Sequence, residues 1–231
     1  MVAKTKGFTL IELLIATSIL TIVMFSGYYS YSVFSNQWKS RTDYYWKVTQ
    51  RSLAFDAISR VIESAYPYVV TSDKGEPALY LSGDQDRLMF ISRSPLFSPE
   101  SALVEFKLIN RGESFDLAYN ESPMSEHLIL NQSDEVEWKY QAILLSGLSD
   151  IKFSYIGWGG LDETLKAVST DSDQQANIDF KTYRQHVMED MRILPLQIRI
   201  AIESDEGKSE MHIALPNGSY AALLAYLREE V

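Results

Sequence analysis

The sequence predicts an α+β protein, a long N-terminal helix packed on a mostly antiparallel β-sheet domain. Three observations predict it. No proline occurs before Pro67, and between Phe8 and Tyr66 the only glycine is Gly27. The first part of that stretch is apolar and carries no charged residue from Leu13 to Trp38. After Pro67 the texture changes to short runs of β-forming residues divided by turn residues.

The elements follow in order. Residues 1–7 form a short basic leader, residues 8–30 the membrane-spanning half of one helix, residues 31–66 its amphipathic half, and residues 67–231 a globular β-rich domain. The densest apolar part runs from Leu13 to Phe25. With its flanks from Phe8 to Tyr29 it reaches roughly 20 residues, enough to cross a bilayer as a helix. A secretory signal would need small residues at a cleavage site after the run. Met24-Phe25-Ser26-Gly27 supplies only a weak one, and Glu12 interrupts the apolar core. Lys4 and Lys6 keep the N-terminus cytoplasmic by the positive-inside rule, which puts the rest on the far side of the membrane. A helix of about 58 residues would extend roughly 85 Å at 1.5 Å per residue.

Past the membrane, Phe55, Ile58 and Ile62 recur three and four apart, with Trp38, Tyr45, Val48 and Ala65 near the same stripe. Arg41, Asp43, Lys47, Arg51, Asp56, Arg60 and Glu63 supply the polar surface. This half is expected to pack on the domain, with Tyr45 and Trp46 as core aromatics. Tyr28, Tyr29, Tyr31 and Phe34 suit an interfacial belt. Pro67 ends the helix.

The expected strands are Ala78–Leu81, Arg87–Ser92, Ala102–Ile109, Phe115–Tyr119, Leu128–Leu130, Val136–Leu145, Asp150–Ile156, Leu196–Ile202 within the strongly alternating run Arg192–Glu203, and Ser209–Leu215. Residues Gly157 to Met191 read as a polar surface excursion with a short helix near Lys181–Glu189. Ser219 is placed to cap a short terminal helix beginning at Tyr220.

Composition excludes several function classes. The chain has 231 residues and a formal charge of -10. Residues 8–231 alone carry 19 basic side chains against 31 acidic, or -12. That balance argues against nucleic acid and against anionic lipid surfaces. With no cysteine there is no disulfide, thiol chemistry or thiolate metal site. His127, His186 and His212 are scattered without metal-ligand spacing. No phosphate-binding loop, dinucleotide fingerprint or serine nucleophile elbow is present. Asp162, Asp171, Asp173 and Asp179 make the excursion acidic. Asp171-Ser172-Asp173 is the one weak calcium candidate, lacking the glycine and terminal glutamate of a calcium loop, and a solvated loop is the preferred reading. The expectation is therefore no enzyme activity and no cofactor.

One motif carries a positive signal. Lys6-Gly7-Phe8-Thr9-Leu10-Ile11-Glu12 places a carboxylate at the start of an apolar span. An acid there is costly and is expected to have a partner. The segment resembles the N-terminus of type IV pilins and of the pseudopilins of type II secretion. The resemblance implies that a prepilin peptidase cuts between Gly7 and Phe8 and methylates the new N-terminal Phe8. It also implies that Glu12 of one subunit pairs with the Phe8 amine of a neighbour and so favours axial register. The alternative for Glu12 is a carboxylate that reaches into the headgroups.

Further along, Arg51-Ser52-Leu53-Ala54-Phe55-Asp56, the stretch Leu144 to Tyr155 with Trp158, and Leu194-Pro195-Leu196-Gln197-Ile198-Arg199-Ile200 look similar to J-type minor pseudopilins. That resemblance implies a type II secretion pseudopilus subunit at or near the tip. Its partners would be the I-type and K-type pseudopilins, the major pseudopilin, the prepilin peptidase and the inner-membrane assembly platform. A minor pilin of a type IV pilus is the alternative of the same class. A membrane-tethered periplasmic binding protein or enzyme is the alternative of another class.

Overall fold

The computed structural model describes residues 7–126, 129–131, 134, 136–169, 180–205, 207–216 and 218–229. The chain divides into two units, Met1–Ser52 and Leu53–Val231. One helix, α1 (Leu10–Glu63), supplies the described structure of the first unit beyond residue 9 and continues into the second. It runs through Gly27 without a break, as expected where nothing else interrupts the helical pattern.

In the second unit the tail of α1 buries Ala54, Ile58, Val61 and Ile62. Spacings of three and four put these on one face. The face packs in the main core with residues of two antiparallel sheets. The first sheet is a meander of β3 (Leu81–Gly83), β4 (Arg87–Ser92), β5 (Ala102–Asn110), β6 (Phe115–Pro123) and β7 (Tyr140–Leu148), in that order. The second has the order β11-β10-β8-β9, from β8 (Asp150–Gly157), β9 (Lys181–Tyr183), β10 (Gln197–Ser204) and β11 (Gly207–Ala214). A two-stranded ribbon pairs β1 (Val69–Thr71) with β2 (Pro77–Leu79). Helices α2 (Leu161–Ser169), α3 (Met188–Met191) and α4 (Tyr220–Glu229) complete the unit.

The end of α1 shows why the helix and first sheet pack together. The last carbonyls of a helix lack intrahelical donors. Here Ser92 Oγ, fully buried at the end of β4, donates to Val61 O at 2.9 Å. Arg93 N–H donates to Ser64 O at 2.9 Å, and Tyr66 N–H donates to Ile91 O at 2.7 Å. The guanidinium of Arg93 stacks over the Tyr66 ring at 4.1 Å.

The chain passes from one sheet to the other within Leu144–Tyr155. Only Ser149 separates β7 from β8, and its N–H donates to Glu203 O on β10 at 2.8 Å. Gly147 adopts φ +68, the left-handed region that suits glycine. Its N–H donates to Asp116 Oδ1 at 3.1 Å. Arg111 Nε–H donates to Asp116 Oδ2 at 2.9 Å, and this bond holds the carboxyl below the usual carboxylate range.

Two further side chains fix the meander. Glu121 is fully buried on β6, where its carboxylate accepts Leu96 N–H at 2.9 Å, Phe97 N–H at 3.1 Å, Ser98 N–H at 2.7 Å and Tyr119 O–H at 2.7 Å. It thereby fixes the loop between β4 and β5. Tyr155 on β8 donates its hydroxyl to Asp84 O at 2.9 Å and ties the second sheet to the β3–β4 turn. Gly83 is needed there, because a Cβ would lie 2.0 Å from Tyr155 Oη.

Several local expectations are corrected. The seventh strand begins at Tyr140 and extends to Leu148, instead of spanning Val136–Leu145. The Arg192–Glu203 run enters its strand only at Gln197. Arg192 ends α3 at φ 61, with its Nε–H donated to Pro77 O at 3.0 Å. The short helix expected near Lys181–Glu189 is confined to the end of that range and begins only at Met188. Residues 181–183 pair with β8, and a single helical turn follows at Met188–Met191. The excursion instead opens with α2, where Glu163 accepts Gly159 N–H at 2.8 Å and pairs with Lys181 at 3.2 Å. Ile129 and Leu130 form no strand, although Leu130 O accepts Thr71 N–H at 3.0 Å. Tyr45 and Trp46 are not core aromatics, being 76% and 64% exposed, and Trp38 and Val48 are exposed as well.

Candidate functional site

The candidate site is the start of α1. Gly7, Phe8 and Thr9 precede the helix in extended or irregular backbone and are exposed. Thr9 O accepts the first helical bond, from Leu13 N–H at 3.3 Å. Glu12 folds back toward Thr9. Its Oε2 accepts Thr9 N–H at 2.9 Å and Thr9 Oγ1–H at 3.0 Å. Glu12 N–H approaches Thr9 Oγ1 at 3.3 Å. This is a reciprocal capping box, in which a threonine and a glutamate three residues on satisfy each other's backbone donors. The carboxylate also lies at the positive end of the helix dipole.

Sequence reasoning placed Gly7, Phe8 and Glu12 at one locus, and the structure brings them together at the helix start. It missed Thr9. The signal was present as Thr9-Leu10-Ile11-Glu12, the threonine-to-glutamate spacing of a helix N-terminus. All three bonds of the box lie between Thr9 and Glu12, so removal of residues 1–7 touches none of them.

The helix beyond is suited to an apolar solvent. Leu10, Ile11, Leu13, Leu14, Ile15, Ile19, Leu20 and Ile22 are all more than half exposed. The hydroxyls inside the apolar run do not face outward unsatisfied. Thr17 donates to Leu13 O at 3.0 Å, Ser18 to Leu14 O at 2.7 Å, and Thr21 to Thr17 O at 2.8 Å. The helix is long and apolar enough to cross a membrane, and none of its most apolar window is buried. Gly27 has open space where a Cβ would stand, so no packing contact within the described chain requires it.

The other sequence candidates are dispersed. His186 is buried, and its Nε2–H donates to Ile193 O at 2.9 Å, since a carbonyl can only accept. Burial pushes its pKa down to about 4. His212 lies on exposed β11, 3.4 Å from Gln197 Oε1 and 3.6 Å from Glu210. His127 lies outside the described residues, as do Asp171, Asp173 and Asp179, so the calcium candidate has no structural description. Among the described residues no group of three His, Asp or Glu side chains is placed to hold a metal ion.

Comparison with known families supplies one finding. The model of the prokaryotic N-terminal methylation motif matches residues 2–28, which include Gly7, Phe8, Thr9 and Glu12. No curated protein matches the chain. The motif implies processing by a prepilin peptidase and assembly with other pilin-like subunits. The chain thus carries a prokaryotic N-terminal methylation motif at the head of a long apolar helix, and that helix continues into an antiparallel α+β unit, a fold consistent with type IV pilin-like proteins.

Proposed function

We propose that the protein is a minor pseudopilin, a non-enzymatic subunit of a type II secretion pseudopilus acting at or near its tip. The observation that carries this reading is the methylation motif over residues 2–28, joined to a helix whose large apolar side chains from Leu10 to Val48 are exposed. In this reading a prepilin peptidase cuts between Gly7 and Phe8 and methylates Phe8. The α1 helix anchors the subunit in the inner membrane with its N-terminus cytoplasmic and its β domain periplasmic. No cofactor takes part, and calcium at Asp171 and Asp173 is not required.

The capping box defines what Glu12 contributes. It holds the carboxylate at the head of the helix, one turn from the amine that cleavage creates at Phe8. Both bonds that Glu12 accepts from Thr9 end on Oε2. Oε1 is then the atom to meet the Phe8 amine of a neighbouring subunit. In a low-dielectric bundle such a pair is strongly attractive when matched and costly when one charge stands alone, so it favours one axial register.

The assignment to secretion, as against a minor pilin of a type IV pilus, rests on the soft similarity to J-type pseudopilins. The segment Leu144–Tyr155 that carries part of this similarity is the crossover between the two sheets.

The test has two parts. Mass spectrometry of the mature protein is expected to show N-methylphenylalanine at Phe8, and an intact Met1 or a terminus near Gly27 would sink the reading. Glu12→Ala is then expected to insert normally but to drop out of a co-purified complex with I-type and K-type pseudopilins. Normal incorporation would return Glu12 to a purely local capping role. Co-purification with pilus subunits instead would assign the protein to a type IV pilus.

A further inference from the structure

Past the apolar span, the exposed apolar residues of α1 are not scattered. Tyr31, Phe34, Trp38, Tyr45 and Val48 follow steps of three, four, seven and three. Their exposures run from 43% to 76%, and Phe34 stacks on Trp38 with ring centroids 6.2 Å apart. The position that divides the step of seven is Arg41. Toward the N-terminus the same alternation of three and four reaches Leu10, Leu13, Thr17, Leu20, Met24 and Gly27. This is the seven-residue repeat of a helix that packs lengthwise against another helix. A Cβ on Gly27 would stand in open space, and at a seam position a glycine lets a second helix come close.

Of the seam positions from Leu10 to Val48, Arg41 is the one that carries charge. It is exposed in its own chain. Asp43 lies two residues on and turns away from the seam, since residues i and i+2 of a helix do not share a face. Lys39 and Lys47 stand off the seam as well. A guanidinium enclosed between helices can only donate, and it is costly there without a carboxylate. A single polar residue in such a seam fixes partner and register at some expense in stability.

Charge complementarity decides the occupant. Spans that cross one membrane in the same direction set their helices parallel. A second copy in register would put Arg41 against Arg41. Shifted by whole repeats, it would offer Arg41 only other seam residues. Neither Glu12 nor Asp43, the only acids from Phe8 to Ser52, stands on the seam. From Trp38 to Val48 the helix carries Lys39, Arg41 and Lys47 against Asp43, so its complement is acidic. We infer that Arg41 selects a heterologous partner, the parallel helix of another pilin-like subunit that carries Asp or Glu at the seam position facing it. This rests on the assembly reading above and names the residue that chooses the neighbour.

The test uses the full chain in membranes. The chain has no cysteine, so Val48→Cys sets one thiol on the seam and Ser40→Cys sets one off it. Disulfide-linked dimers are counted after oxidation. Arg41→Leu is expected to raise self-linking through Val48→Cys at least about threefold, with no gain through Ser40→Cys. The chain is then co-expressed with each pilin-like subunit of its own organism, each bearing one cysteine at the aligned seam position. One subunit is expected to link to Val48→Cys. Arg41→Glu is expected to lower that yield at least about tenfold, and changing the partner's facing acid to Arg is expected to restore it. Unfolding of the domain, expected to be unaltered, is the folding control. The inference is overturned if Arg41→Leu leaves self-linking unchanged, if the linked subunit has no acid facing Arg41, or if Arg41→Glu leaves its yield unchanged. If no pilin-like subunit links, the functional reading falls with it, whereas a link that ignores Arg41 overturns the inference alone.

Discussion

The two parts of α1 are one uninterrupted helix with opposite relations to solvent. Up to Ser52 its large apolar side chains are exposed, with Phe25 at 70% and Trp46 at 64%. From Ala54 onward they are buried, with Ile58, Val61 and Ile62 at 0%. Helix formation is therefore not what separates them. The difference lies in the complement each finds. The later part meets sheet residues and the hydroxyl of Ser92, which satisfies the helix end. The earlier part carries large apolar side chains that are exposed, and the hydroxyls of Thr17, Ser18 and Thr21 bond carbonyls of the helix itself. A lipid phase or the helices of sibling subunits fit that description, and water does not.

Four experiments can break or sharpen this comparison. The largest effect is expected at the head of the exposed part. Gly7→Leu should leave residues 1–7 attached on essentially all molecules, read as the precursor mass. Normal maturation of this variant would separate the helix from the processing motif and remove the main support for the functional reading.

The second experiment compares the two parts directly. Ile58→Ala should destabilise the domain by about 2–5 kcal/mol in denaturant unfolding, because it leaves a cavity under the sheet. Ile19→Ala should change that stability by less than about 0.5 kcal/mol, since its side chain is 57% exposed. Equal losses would mean that the exposed part is buried after all.

The third concerns the buried unit and pH. His186 is neutral in the folded protein, with its pKa lowered from 6.5 to about 4. The unfolded chain thus binds more protons between those values, and stability falls as pH drops through that window. The loss should reach about 3 kcal/mol near pH 4 and level off within about one pH unit below it. Unfolding followed from pH 7 to 4 should show this slope, and His186→Asn should flatten it. An unchanged slope in the variant would show that other groups carry the acid sensitivity.

The smallest effect is expected from Thr9→Val, which removes the capping hydroxyl but keeps the shape. Loss of the cap should cost about 1 kcal/mol locally. It should appear as faster amide hydrogen exchange in the first turn, with exchange beyond Ala54 unaltered. An unchanged first turn would show that Glu12 does not rely on Thr9.

Legibility in the sequence varied with the range of the interactions that decide each feature. The long helix was legible because proline and glycine are absent, and the locus of Gly7, Phe8 and Glu12 because its residues are adjacent. The Thr9 cap is equally local, and its signature stands in the sequence as the spacing from Thr9 to Glu12. Ile58 and Ile62 were placed correctly on the buried stripe. Tyr45 and Trp46 were not, because periodicity identifies a face and does not tell whether protein covers it. The excursion failed for a related reason. Residues 181–183 are a strand because β8 offers them an edge, and no local pattern announces that edge.

The sequence by itself determined the approximate length of α1, the apolar character of its first half, the motif at its head and the α+β class. Each follows from neighbouring residues, where helix propensity, periodicity and spacing act over a few positions. Only the tertiary structure decided that the protein-covered face of α1 begins at Ala54. The same holds for Ser149 as the single residue between β7 and β8, and for the Tyr155 hydroxyl bond that ties the second sheet to the β3–β4 turn. Those outcomes depend on residues far apart in the chain, such as Val61 with Ser92 and Tyr155 with Asp84. Chain closure brings such residues together, and short-range pattern does not encode that pairing.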